Sequence, residues 1–202
     1  NAHLIAGRDL RSGGTWLGVS EQGRLAVITN VRGLAPDPSL ESRGTLVSHV
    51  LAGAGRYANP EAGDLGRFNA FNLIVADAKG ARVLTNRPSP AISPLEPGIH
   101  AVSNGALGED WPRAARIERR MADWLSSRAD HPADLFGLLS DEEASHDCAV
   151  DPSPIFIRNP VYGTRCSTVI VTDSLGQGTI TERRFADDGR VTGETRFNFG
   201  SP

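Results

Sequence analysis

The chain predicts an α+β protein built from antiparallel sheets. Three observations carry this: strand-like runs crowd both ends of the 202 residues, helix-period runs fall between them, and tight-turn signals separate neighbouring strand runs. An alternating parallel βα repeat would spread its helices evenly along the chain, and this chain does not.

Residues 4–8, 15–19 and 25–31 read as strands joined by turns at Gly13-Gly14 and Glu21-Gln22-Gly23, an antiparallel meander. Over 43–51, Leu46, Val47, Val50 and Leu51 share one face at helical spacing, and Gly53 stops the helix. Segments 71–77 and 82–86 flank Ala78-Lys79-Gly80 as a hairpin. From 113 to 128, Ala115, Ile117, Met121, Trp124 and Leu125 recur at helical intervals behind Pro112, which suits a first turn. A short helix is expected over 132–140. Segments 169–171, 179–185 and 195–199 complete a second meander, turning at Gly176-Gln177-Gly178 and Asp187-Asp188-Gly189. The stretches 36–42, 88–97 and 151–160 read as loops, and the length fits one domain over 1–202.

Composition narrows the function classes. A 39% hydrophobic content supports a core, while 21 Lys+Arg against 24 Asp+Glu leave a net charge of −3, so no overall positive field exists to hold nucleic acid or an anionic membrane. Lys79 is the sole lysine; the arginine bias fits a GC-rich genome as well as it fits a ligand. No apolar run reaches the roughly 18 to 20 residues of a membrane span. Cys148 and Cys166 form neither a disulfide framework nor a Cys-x-x-Cys pair, and a reducing, cytoplasmic setting is the default. The five histidines lack metal-site spacing, so no metal site is expected.

Six segments in order carry a resemblance: Gly13-Gly14-Thr15-Trp16-Leu17-Gly18-Val19; Gly23-Arg24-Leu25-Ala26-Val27-Ile28-Thr29-Asn30-Val31-Arg32; Ser42-Arg43-Gly44-Thr45-Leu46-Val47-Ser48-His49; Phe71-Asn72-Leu73-Ile74-Val75-Ala76-Asp77; Gly98-Ile99-His100-Ala101-Val102-Ser103-Asn104; and Tyr162-Gly163-Thr164-Arg165-Cys166-Ser167-Thr168-Val169-Ile170. Together they resemble the NRDE family over nearly the whole chain. That family is named for an Asn-Arg-Asp-Glu tetrapeptide in a segment preceding the region matched, which in many members opens with a cysteine after the initiator methionine. This chain carries neither and opens at Asn1, so the resemblance implies an N-terminal piece absent from the sequence. It also implies handling of an amphipathic small molecule, haem or an acyl-CoA, as ligand. A cleft for it would draw polar anchors from Trp16, Asn30, Asn72, Asn104 and Arg165.

The 71–77 strand with its hairpin, then Val102-Ser103-Asn104 and Asp110-Trp111, is also similar to cholylglycine hydrolases and penicillin V acylases. This resemblance implies an αββα sandwich of the N-terminal-nucleophile hydrolase type, incomplete at the N-terminus. The alternative function it implies is a cysteine-dependent amidohydrolase acting on a linear C–N amide bond, with the nucleophile in the missing N-terminal segment. Asn104 of the Ser103-Asn104 pair falls on the oxyanion-side asparagine, and Arg165 lies near a late arginine that steadies the site. A preorganised amide donor aimed at an oxyanion is worth roughly 3 to 4 kcal/mol.

Each residue has a plainer reading. Asn104-Gly105 is a strong turn dipeptide. Arg165 either clamps an anion through its planar fork or pairs with an acid. Asn30 and Arg32 either line the cleft or terminate a strand, and Cys166 is either a nucleophile activated by Arg165 or a structural thiol entering an apolar strand. His49 is either an axial haem ligand or an interfacial helix residue.

Overall fold

The computed structural model describes residues 3–10, 12–127, 131–144 and 153–200. Six strands, β1 (Leu4–Ala6), β2 (Leu17–Ser20), β3 (Leu25–Asn30), β4 (Phe71–Asp77), β5 (Gly80–Thr85) and β6 (Ala91–Leu95), form one sheet in chain order, every pair antiparallel. Three more, β7 (Cys166–Thr172), β8 (Gly178–Phe185) and β9 (Val191–Phe199), form a second antiparallel sheet. The helices are α1 (Arg43–Ala52), α2 (Ala62–Leu65), α3 (Pro112–Ser126) and α4 (Leu135–Leu139), the last entered through a short 3-10 turn, Pro132–Asp134. This is the mixed antiparallel architecture the patterning predicts, and none of these helices is long and apolar enough to cross a membrane.

Alternation along the strands decides what each face of the large sheet meets. Ala26, Ile28, Leu73, Val75 and Leu84 point to one side and pack on Leu46, Val47, Val50 and Leu51 of α1. The opposite side of β1 to β3 offers Ile5, Leu17, Val19 and Leu25, which meet Ile170, Ile180 and Phe199 of the small sheet. Beyond the small sheet, α4 and its entry turn pack on β7.

α1 ends as the sequence predicts. Gly53 adopts φ +60, the left-handed cap that a side chain resists, and the Arg24 guanidinium donates to the Val50 carbonyl at 2.7 Å. From its last turn His49 stacks on Tyr57, which meets Phe68 edge-on, which meets Phe71.

Three departures from the sequence reading have local causes. The 88–97 stretch, expected as loop, contains β6; it is an edge strand, and Pro94 is tolerated because only one side of an edge must complete a ladder. The hairpin after β4 is tighter than expected, since Asp77 pairs with Gly80 and only Ala78 and Lys79 turn. The four-residue α2 is too short for a periodicity to reveal; it is fixed by a reciprocal cap between Glu61 and Asp64.

The Gly13-Gly14 turn is built for close approach. A side chain on Gly14 would place its Cβ 2.4 Å from the backbone of Gly44 at the start of α1, whereas one on Gly63 would meet open space. Gly14→Ala should therefore destabilise the protein by about 1–3 kcal/mol in urea unfolding, as overpacked sites do. Gly63→Ala should be neutral or slightly stabilising. Equal midpoints for the two variants would refute the contact.

Candidate functional site

The ends of the central strands carry a row of polar side chains on the face away from α1. Thr29 pairs with Asn72 across β3 and β4, and Asn72 pairs with Thr85 across β4 and β5. Asn72 and Thr85 are buried, so their polar atoms need partners within the protein. Asn72, with Thr29 beside it, finds a partner in the loop at 103–105. The Thr29 hydroxyl donates to the Ser103 carbonyl at 2.9 Å, and the Asn72 side-chain amide donates to the Gly105 carbonyl at 2.8 Å. Thr85 completes the row by donating to the Asn72 side-chain oxygen at 2.8 Å.

Asn104 sits at the crest of this clamped loop. Its backbone carbonyl accepts from the Arg32 amide at 2.8 Å, and its side-chain Nδ2 donates to the Asn30 carbonyl at 2.9 Å. From the first turn of α3, Arg113 donates through Nε to the Ser103 hydroxyl at 2.9 Å and through Nη2 to the Asn104 Oδ1 at 3.0 Å. The Asn104 amide is thus oriented at both ends. Just beyond, Trp111 packs so tightly on Gly105 that a Cβ there would lie 1.8 Å from the indole nitrogen, and Arg113 lies 5.3 Å from the Trp111 ring centroid. The Asn-Gly and Asp-Trp signals in the sequence are therefore parts of one packed corner.

A cleft of about 370 Å³ opens beside Asn30. Its apolar wall includes Val31, Leu34, Pro36 and Leu40; Arg43 and Arg87 supply two cations against the single carboxylate of Asp37, which Ser39 already engages. Arg43 donates to the Ala70 carbonyl at 2.9 Å, and its partial burial pulls the guanidinium proton affinity down. The Gly13-Gly14 turn reaches the same corner, with the Thr15 amide directed at the Gly44 carbonyl at 3.4 Å.

Of the residues singled out from sequence, Asn30, Arg32, Ser103 and Asn104 are joined directly by hydrogen bonds or through Arg113, and Asn72 lies beneath them holding Gly105. Trp16 is half-exposed, its carbonyl accepting from the Ile28 amide two residues before Asn30. Arg165 is linked elsewhere: its guanidinium donates to the carbonyls of Asn159 and Pro160. His49 keeps its Nδ1 buried without a partner among the described residues. Partial desolvation of the Cys166 sulfur, reinforced by the Glu182 carboxylate and opposed by Arg184, pushes its thiol pKa up, away from the thiolate a nucleophile requires. Cys148 lies outside the described residues. Thr29, Thr85, Arg43, Arg87 and Arg113 escaped the sequence reading. Only the placement of Arg113 in the first turn of its helix, just past Trp111, hinted at a role.

The molecule is thus an antiparallel α/β protein that presents a fixed Ser-Asn loop beside an arginine-bearing cleft. Over residues 1–187 it matches the Transport and Golgi organisation 2 family, and it belongs to that family. It is 31% identical to the human Transport and Golgi organization protein 2 homolog, over 97% of this chain and 82% of that protein. It is 30% identical to the mouse Transport and Golgi organization 2 homolog, over 96% and 82%, and 28% identical to the cattle homolog, again over 96% and 82%.

Removing the Asn72 amide takes away the Gly105 carbonyl's side-chain donor, whereas the Thr85 hydroxyl keeps the Phe71 and Arg87 carbonyls; an unsatisfied buried group costs about 1–3 kcal/mol. Asn72→Ala should lower the urea midpoint and speed hydrogen exchange at 103–105; an unchanged midpoint would show that the clamp contributes nothing. In a Cys148→Ser background, alkylation of Cys166 should rise with pH along a curve displaced above that of a free cysteine peptide. A displacement to lower pH would reinstate it as a candidate nucleophile.

Proposed function

We propose that this protein binds an amphipathic small molecule, such as haem or a long-chain acyl-CoA, in the cleft beside Asn30. The observation that carries the reading is the pairing of an apolar wall with Arg43 and Arg87 in one opening, at the rim of which the Asn30 carbonyl already holds Asn104. Such a cleft accepts an apolar body and an anionic group together. In this reading Asn30, Arg32, Ser103 and Asn104 form the polar rim, Asn72 supports it, Trp16 extends the apolar surface, and Arg165 serves as a further anion clamp. The reading takes residues 1–202 as one domain working in the cytoplasm. It takes the succession of α1, large sheet, small sheet and α4 as an αββα sandwich of the N-terminal-nucleophile hydrolase type, supported by the apolar contacts on both sides of the large sheet.

Titration with haem and with palmitoyl-CoA, followed by tryptophan fluorescence, should saturate without turnover. Arg87→Gln should weaken binding about tenfold, a loss of ~1.4 kcal/mol. Trp16→Ala and Arg165→Ala should weaken it as well. Affinity indifferent to Arg87 would remove the ligand from this cleft, and absence of saturable binding by both compounds would end the carrier reading.

One observation favours a second reading, an amidohydrolase. The doubly anchored Asn104 amide has the fixed orientation that an oxyanion donor needs. The reading takes its nucleophile from a cysteine-led segment ahead of Asn1: in a chain extended by that segment, acyl-amide hydrolysis that disappears in a folded Asn104→Ala variant decides for it, and binding without hydrolysis by the extended chain decides against it.

A further inference from the structure

We propose that a second cleft, at the other end of β4, binds a phosphate group. β4 begins at Phe71 beside the Asn104 corner and ends at Asp77; seven residues at about 3.3 Å each put the two sites roughly 20 Å apart. The inference is therefore independent of the carrier reading.

This cleft encloses about 300 Å³ and is lined by Arg24, Asn59, Asp77, Lys79 and Arg82 together with the backbone of the β4–β5 turn. Three cations face one carboxylate, in a chain whose net charge is −3 and whose sole lysine is one of the three. Among the described residues none of the three forms an ion pair, whereas several other arginines are neutralised: Arg116 and Arg120 by Asp141, Arg158 by Glu142, Arg183 by Glu194 and Arg184 by Glu182. The carboxylate is already engaged, since Asp77 Oδ1 accepts from the Lys79 backbone amide at 2.8 Å.

The cations are also positioned. Arg24 is held by the Val50 carbonyl and lies against Gly53, where a Cβ would stand 3.0 Å from its Nη1. That bond uses one of five guanidinium donors and leaves the others for a ligand. Arg82 pairs with Val75, and Leu25 pairs with Ala76, so continuing the β3–β4 register sets Arg24 across from Asp77 on the face that Arg82 shares. Lys79 closes the site from the hairpin turn. Two guanidinium forks and an ammonium converging on a small polar cavity suit a compact anion of high charge with many acceptor oxygens, and a diphosphate has this form.

The test is calorimetric titration of the full chain with inorganic pyrophosphate at low salt, alongside co-sedimentation with phosphatidylcholine vesicles with and without phosphatidic acid. Binding is expected to saturate and to fall with added salt. Lys79→Gln and Arg82→Gln should each weaken it at least fivefold, and Asp77→Asn should strengthen it. Pyrophosphate binding with this pattern identifies a soluble phosphorylated ligand; the same pattern on phosphatidic acid vesicles alone identifies a lipid headgroup, and both support the site. Failure to bind either probe, or binding indifferent to all three substitutions, overturns it. Should Arg82→Gln fail to fold, the opposite signs expected for Lys79→Gln and Asp77→Asn still decide the outcome.

Discussion

The polar row Thr29, Asn72 and Thr85, the last two of them buried, is the constraint on which the candidate site depends. A buried polar side chain left without a partner bears a desolvation cost of about 1–3 kcal/mol; Thr85 meets this within the sheet, at the Phe71 carbonyl and the Asn72 Oδ1, whereas Thr29 and Asn72 donate beyond it. The loop at 103–105 supplies acceptors to Thr29 and Asn72 and is drawn onto the strand ends in consequence. Asn86 does the same work one corner away, accepting from the Phe71 amide and donating to the carbonyls of Leu65 and Phe68, which fixes α2 and the segment after it. Two buried asparagines thus tie irregular chain to regular strands where apolar contacts alone would leave its register open.

α1 and α3 are attached by different physics. α1 buries a full apolar stripe, and its position follows from area. α3 has no residue classed as buried and is held by directed bonds. Arg113 reaches Ser103 and Asn104, Glu118 accepts from the Ala101 amide at 2.8 Å, and Arg116 and Arg120 engage Asp141. Burial of the Asp141 carboxyl alone would raise its pKa, but the Glu143 amide and the two guanidinium groups outweigh it and hold the group below its ordinary value. The Asp141 carbonyl accepts from Phe156, whose ring meets Phe185 of β8 edge-on at 4.8 Å. A continuous set of contacts therefore runs from the Asn104 loop through α3 to the small sheet.

These differences explain what the sequence made legible. α1 was readable to within a residue because its stripe and its Gly53 stop are local signals, and β4 was readable because alternation and turn residues bound it. β6 was hidden by Pro94, an edge-strand residue that a pattern alone reads as loop. Asn30, Ser103 and Asn104 could be named, since polar residues at strand ends and turns stand out from their surroundings. Thr29 and Thr85 could not: a threonine in a strand is ordinary, and only the register of three strands reveals that these two flank Asn72. Arg43, Arg87 and Arg113 were hidden among many arginines, because what separates them is their position in space.

The Gly-Gly-Thr-Trp turn shows how a motif can act at one remove. Its contribution is absence of bulk: Gly14 and the facing Gly44 let two backbones touch, which seats the first turn of α1 against the segment leading into β2. Arg43 precedes Gly44, so the same contact fixes where that guanidinium enters the cleft beside Asn30. A larger residue at either glycine would move the helix start and carry Arg43 with it. The placing of a cation in the cleft therefore depends on a small residue some thirty positions earlier in the chain.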